Sequence, residues 1–179
     1  MRKIIEYTLI SLDGVFDGPA IRSFFEYFDE AYMRDGTGQV LACDAMLMGR
    51  TTYESFAKIW PARTDPWAQS LNAMKKYVFS STLERAEWQN TTIIRGDVIA
   101  EVNKLKQLEG GDLLIYGHGL LGQSLLKERL IDVFDLSVHP LLVGHGRQFF
   151  RENQEAKMKL IATKSFSKGI VKLTLEPQY

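Results

Sequence analysis

Apolar runs alternate along this chain with stretches of helical spacing, from one end to the other. Residues 3–11, KIIEYTLIS, are rich in β-branched and aromatic side chains and predict a central strand. Turn chemistry follows in LDGVFDGPA, through Asp13-Gly14 and Gly18-Pro19. Ile21, Phe24, Phe25, Phe28 and Tyr32 then recur at the spacing of one helix face, with Ser23 and Glu26 placed as a capping box. TGQVLACD (37–44) predicts a short helical turn, and AMLMG (45–49) a buried strand. A helix over 51–60 stops at Pro61, PARTDP is a loop, and 67–76 is a further helix. Strands are expected at 77–81 and 91–95. Asp97 caps a helix over 97–108, whose stripe is Val98, Val102 and Leu105 and whose stop is Gly110-Gly111. Strand LLIY (113–116), a glycine turn and helix 120–129 come next. The tail is strand-rich, in DVFDLSVHPLLVG, KLIATKSF and IVKLTLEP, with Ser167-Lys168-Gly169 as a hairpin turn. Strand–helix–strand units ahead of antiparallel strands imply a single α/β domain over 1–179 with a mixed sheet.

Composition narrows the partners. The chain has 179 residues, enough for a full core, with 45% hydrophobic and 25% charged residues. Lys plus Arg equals Asp plus Glu at 22 each, and no basic stripe stands out, so nucleic acid is not the expected partner. One cysteine, Cys43, cannot make an internal disulfide, which fits a reducing, cytoplasmic setting. Glu6 and Asp13 interrupt the first apolar stretch, and no run approaches the roughly 18 apolar residues of a membrane span. His118, His139 and His145 lack metal-ligand spacing, so no metal is expected.

Anion chemistry is better marked. In AMLMGRTTYES, Gly49 ends a strand and Thr51 with Glu54 has capping-box spacing, so a helix should begin there with Arg50 at its mouth. In GDLLIYGHGLLGQSLL, Gly117, Gly119 and Gly122 spell a dinucleotide-binding fingerprint, with the helix beginning near Leu120. A Rossmann reading fails, because the motif falls late in the chain and Asp135, at the distance of the expected acid, lies inside its strand. Ser80 and Ser81 close a third strand, as phosphate-binding hydroxyls or as the start of a turn, and Arg95 closes a fourth. All four fall at strand ends, where open α/β sheets bind ligands.

MGRTTYES, then VFSS, then LLIYGHGLLGQ, in this order and spacing, resembles the dihydrofolate reductase superfamily. The nearest branch is the reductase domain of bifunctional riboflavin-biosynthesis enzymes. SLDGVF, HPLLVGHGRQFF and the final KLIATKSFSKGIVKLTLEP extend the likeness over nearly the whole chain. The resemblance implies a three-layer α/β fold, a mixed, mostly parallel sheet flanked by helices with an antiparallel C-terminal strand. It implies NADPH as cofactor, its phosphates held by Gly49, Arg50 and Thr51. Ser80, Ser81 and Arg95 would lie near the 2′-phosphate, and Gly117, His118, Gly119 and Leu120 would wrap the pyrophosphate. A homodimer is implied as well.

The substrate side is read more coarsely. Glu26, Asp29 and Glu30 are the carboxylates of the first helical stretch, where folate-reducing relatives place an acid; capping or a solvated helix face explains them as well. The tryptophan of folate reductases is missing from SLDGVFDGP, which has Asp13 and Phe16 instead. In the riboflavin branch the early Asp-Gly turn lies beside the reacting groups, which makes Asp13 the catalytic candidate, against a plain turn-capping role. Gly144 and Gly146 mark a loop suited to closing over substrate or packing at a dimer interface, and Asp135 is read as a surface charge. The expectation is an NADPH-dependent reductase of a small pterin-like or aminopyrimidine heterocycle, the riboflavin-pathway 5-amino-6-(5-phosphoribosylamino)uracil included. The alternative is a nucleotide-binding protein of the same fold without efficient catalysis, serving as a sensor or partner.

Overall fold

The computed structural model describes residues 1–149 and 155–179. In chain order the strands are β1 (Ile4–Ser11), β2 (Val15–Asp17), β3 (Cys43–Gly49), β4 (Lys75–Phe79) and β5 (Thr91–Ile94). They continue with β6 (Asp112–Tyr116), β7 (Val133–His139), β8 (Arg147–Gln148), β9 (Lys157–Ser165) and β10 (Val171–Gln178). The α-helices are α1 (Glu30–Leu41), α2 (Arg50–Phe56), α3 (Pro66–Ala73), α4 (Val98–Gln107) and α5 (Leu120–Lys127).

Eight strands form one sheet in the order β5-β4-β3-β6-β1-β7-β10-β9. Every pairing from β5 across to β7 is parallel, and β10 and β9 close that edge antiparallel. This is the three-layer, mostly parallel α/β arrangement expected. A parallel sheet is covered on both faces, so its strands are apolar in both registers. In β3, Met46 and Met48 join one core cluster and Ala45 and Leu47 the other; Leu114 and Leu113 of β6 divide likewise. Residues of α1, α2 and α3 complete the first cluster, those of α4 and α5 the second.

β6 and β7 are consecutive in the chain yet flank β1 rather than pairing. In a Rossmann unit the fingerprint strand neighbours the next one, so topology and sequence agree against that fold here.

Several boundaries differ from the pattern. The aromatic stretch after Gly18 is not one helix. Residues Pro19–Tyr27 form a 3-10 helix, and α1 begins afresh at Glu30 with Asp29 as its cap. Asp29 accepts from the Tyr32 N–H at 2.7 Å and from Ser167, which fixes this break. The TGQVL segment is the second half of α1, where Gly36 admits Trp67 of α3: a Cβ there would lie 2.5 Å from the indole ring. Thr51 and Glu54 form no capping box; the cap is Gly49, and Glu54 binds Arg50 Nε at 2.6 Å. Lys75 and Lys76 belong to β4, and α3 ends before them. The pairing of β2 with β8 had no signal strong enough to read.

Candidate active site at the strand ends

A cavity of about 580 Å³ opens over the C-terminal ends of β1, β3 and β6. Its two ends are made differently. One is backbone and glycine; the other is a cluster of aromatic rings.

At the glycine end, Gly49 leads into α2 and Gly117–Gly119 into α5. Helices α1, α3 and α4 are each capped by an aspartate, Asp29, Asp65 and Asp97, whose side chain accepts a first-turn N–H. The two helices that open onto the cavity have glycine caps and no side-chain acceptor. Gly117 sits at φ +75, a conformation glycine adopts freely, and its N–H donates to the Tyr7 carbonyl at 2.9 Å. Nothing lies within 4 Å of where a Cβ would stand on Gly117 or Gly119. The turn is therefore roofed by open space, and the α5 N–H groups are left for an anion. In seven-residue α2 the useful group is the guanidinium of Arg50, which reaches Glu54 and, at 2.6 Å, Thr82 Oγ.

Ser80, Ser81 and Arg95 are gathered beside Arg50 but outside the cavity lining. Ser80 Oγ accepts the N–H groups of Thr82 and Leu83, so it builds the turn. Arg95 donates to the carbonyls of Ser81 and Leu83 at 3.0 and 2.7 Å. These contacts place its charge without neutralising it. Thr51, His118 and Leu120 line the cavity, the last at its rim with 78% exposure.

Beneath the glycine turn lies a pair that sequence pattern alone did not reveal. Glu6 of β1 and His118 are both fully buried, with Glu6 Oε1 2.7 Å from His118 Nδ1. Burial raises the Glu6 pKa, and the His118 contact opposes that rise. Glu6 Oε2 and His118 Nε2 are buried at the limit of hydrogen-bond reach, and the Thr8 hydroxyl beside Glu6 also opposes the rise in its pKa. Gly122, the third glycine of the motif, is what lets α5 come this close. A Cβ there would sit 2.8 Å from Glu6 and 3.0 Å from His118. An in-strand glutamate paired with a histidine 112 positions away leaves no local trace.

At the other end Phe28 and Trp67 stack with centroids 6.1 Å apart, Trp60 follows at 6.1 Å from Trp67, and Phe25 lies 5.4 Å from Phe28. Phe25 lies in the 3-10 helix Pro19–Tyr27 and Phe28 just after it, Trp60 opens a second 3-10 helix, Trp60–Ala62, and Trp67 is in α3. The hydroxyls nearby face inward. Tyr7 OH meets Tyr32 OH, and Tyr116 OH accepts the Trp67 indole N–H at 3.0 Å.

Asp13 does not line the cavity. Its carboxylate accepts from Ser11 Oγ at 2.5 Å and from the N–H groups of Val143 and Gly144. These donors hold its pKa down at about 2. The carboxylate is thus a clasp on the loop that contains Gly144 and Gly146, and Gly146 lies close against Asp17. Phe150, the last residue of the HPLLVGHGRQFF stretch, lies outside the described residues. Among the helical carboxylates, Asp29 caps α1, Glu30 pairs with Arg34 at 3.4 Å on the surface, and Glu26 is exposed. Asp135 is not a surface charge. It is 6% exposed, bonded to Gln39 and Thr174, and 3.3 Å from Lys172.

No helix among the described residues is long and apolar enough to cross a membrane, and no group of three or more metal-ligating side chains is gathered there.

Comparison with known proteins agrees with this geometry. Uncharacterized protein YyaP of Bacillus subtilis is 30% identical over 96% of this chain and 93% of its own length. A Shewanella sp. PV-4 protein, provisionally named for riboflavin biosynthesis, shares the fold with a TM-score of 0.75 at 19% identity, over 99% of both chains. The Thermotoga maritima diaminohydroxyphosphoribosylaminopyrimidine deaminase/5-amino-6-(5-phosphoribosylamino)uracil reductase matches with a TM-score of 0.66 at 13% identity. That match covers 99% of this chain and 57% of the larger protein. The RibD C-terminal domain model matches residues 2–172, and the chain belongs to that family.

Proposed function

We propose that the protein is an NADPH-dependent reductase of a small heterocycle. The observation that carries this reading is the glycine end of the cavity. There the uncapped start of α5, the open space over Gly117 and Gly119, and Arg50 face one another across adjacent strand ends. Backbone N–H groups at a helix start bind phosphate without any particular side chain, and Arg50 adds a planar cation. Arg95, whose charge no carboxylate among the described residues offsets, and the hydroxyl of Ser81 beside it suit a second phosphate, the one that distinguishes NADPH from NADH.

NADPH held there would supply a hydride to a C=N or C=O group and leave as NADP⁺, with water as the source of the proton that completes the reduction. The chain's own part is to orient and to exclude water. The Glu6–His118 pair fixes the turn from below, and the aromatic rings close the far end against solvent. A substrate of the riboflavin pathway is supported by the family and by the reductase activity for which the Thermotoga relative is named. A cytoplasmic homodimer completes the proposal. The nine-residue edge strand β9, exposed along nearly its whole length, supports the dimer, because a long bare edge is normally covered.

A second reading is a nucleotide-binding protein without turnover. It is favoured by the absence, among the described residues, of a free carboxylate on the aromatic end; Asp17 there is held by Arg147. Following NADPH oxidation with pterin and aminopyrimidine substrates separates the two. Turnover with a raised KM for NADPH in Arg50→Ala supports the reductase. NADPH binding without turnover supports the binding protein, and no binding at all would sink both.

A further inference from the structure

The loop between β4 and β5, residues 80–90, has no regular structure of its own and is tied to both ends of the cavity. Its first half is held by cations. Arg95 donates to the carbonyls of Ser81 and Leu83 at 3.0 and 2.7 Å, and Arg50 Nη1 donates to Thr82 Oγ1 at 2.6 Å. These are the two guanidinium groups that the reductase reading assigns to the cofactor phosphates. An anionic phosphate is a stronger acceptor than a carbonyl or a hydroxyl, so its arrival draws them away from the loop and frees that half to move.

The second half is held from the other side. The Tyr53 hydroxyl accepts the N–H groups of Glu87 and Trp88 at 2.9 and 3.2 Å, and Trp88 is buried. The Trp88 indole N–H donates to Asn72 Oδ1 at 2.7 Å, and Asn72 Nδ2 donates to the Trp60 carbonyl at 3.1 Å. An indole N–H only donates and a carbonyl only accepts, so the Asn72 amide has a single orientation that serves both. The Asn72 main-chain carbonyl is gripped in turn by Lys76 Nζ, Gln89 Nε2 and Asn90 Nδ2, at 3.1, 3.1 and 3.2 Å. Asn72 thus joins the last turn of α3, the loop, and the Trp60–Ala62 turn, whose tryptophan lines the cavity.

We propose, building on the reductase reading, that Asn72 is a positioning residue that couples the two ends of the cavity. A nucleotide phosphate that shifts the 80–90 loop shifts Trp60 with it, through Trp88 and Asn72. Hydrogen-bond chains between packed side chains carry coupling of this kind. By linkage it is reciprocal: a ring ligand against Trp60 and a nucleotide at Arg95 change each other's affinity by the same factor. Each end keeps its own binding groups, and the link sets the place of one wall.

The test uses the full chain with its three tryptophans, Trp60, Trp67 and Trp88, replaced by 5-fluorotryptophan and followed by fluorine NMR. Trp60→Phe, Trp67→Phe and Trp88→Phe assign the resonances. The probe is adenosine 2′,5′-bisphosphate, which carries the second phosphate and lacks the nicotinamide half of the cofactor. At saturation the Trp88 and Trp60 resonances should both shift in wild type. Asn72→Asp keeps an acceptor for Trp88 and removes the donor to Trp60, so there Trp88 should still shift while Trp60 stays in place. A Trp60 resonance that does not move in wild type overturns the proposal, and so does one that moves equally in Asn72→Asp. Should the nucleotide not bind, the cofactor reading fails separately, and the free protein decides the link. In it Trp88→Phe should shift the Trp60 resonance, and the same change made on Asn72→Asp should not; an unmoved Trp60 resonance in Trp88→Phe overturns the link.

Discussion

The two ends of the cavity are built from different material. At the glycine end the binding groups are backbone N–H, and the side chains serve chiefly to keep out of the way: four glycines, two of them under open space. At the aromatic end the binding groups are side chains, delivered by three segments and locked by one another. Backbone recognises a charge common to many ligands, whereas packed rings recognise one shape. The first end is thus suited to a shared cofactor, and the second is where relatives of the same fold can diverge in substrate.

The largest expected effect strikes the support under the backbone end. Glu6→Leu leaves His118 buried without its partner, and should cost about 3 kcal/mol, lowering the melting temperature by roughly 6–12 °C for a chain of this size. A melting temperature within a degree of wild type would show that the pair does not hold the turn.

Next, Gly119→Val separates binding from folding. The backbone at Gly119 is extended, with φ −76 and ψ −164, so valine fits the conformation while filling the space above the turn. NADPH binding should fall at least tenfold, about 1.4 kcal/mol, with thermal stability nearly unchanged. Retained affinity would mean that no phosphate sits there.

Gly36→Ala probes the other end from behind. The added methyl meets the Trp67 ring at 2.5 Å. Overpacking costs about 2 kcal/mol, less the ~1 kcal/mol of helix propensity that alanine returns. Ring-ligand affinity should drop while NADPH affinity holds. Equal losses at both ends would make the two regions one cooperative unit.

The smallest effect concerns Asp13. Its folded pKa is depressed, so the carboxylate contributes stability that is present above its ordinary value of 3.8 and lost as pH falls toward about 2. Stability curves for wild type and Asp13→Asn should differ at neutral pH and converge as the pH falls through that window. A constant offset throughout would mean that the loop clasp does not depend on charge.

What the sequence disclosed divides along the same line as the cavity. The strand–glycine–helix steps at Gly49 and Gly117 are local, so a few adjacent letters carried them, as did the two-sided apolar runs of β3 and β6. The aromatic end was not legible, because Phe28, Trp60 and Trp67 meet only when the 3-10 segments and α3 fold together. The helical spacing of Ile21, Phe24, Phe25, Phe28 and Tyr32 suggested one continuous helix, and a single cap at Asp29 divided it. Glu6 read as an interruption in an apolar strand, and Asp135 as a surface charge. Both are buried with partners far away in sequence, His118 for one and Gln39 with Thr174 for the other. The capping box at Thr51 and Glu54 matched a pattern whose glutamate was taken by Arg50 instead.

The most direct test of the central claim is a titration of the protein with NADPH and with NADH at fixed ionic strength, following tryptophan fluorescence, since Trp60 and Trp67 line the cavity. The account predicts saturable quenching by both, with NADPH bound at least tenfold more tightly, about 1.4 kcal/mol, and the preference erased in Arg95→Ala. Absence of quenching by either, or equal affinities for the two, would contradict it.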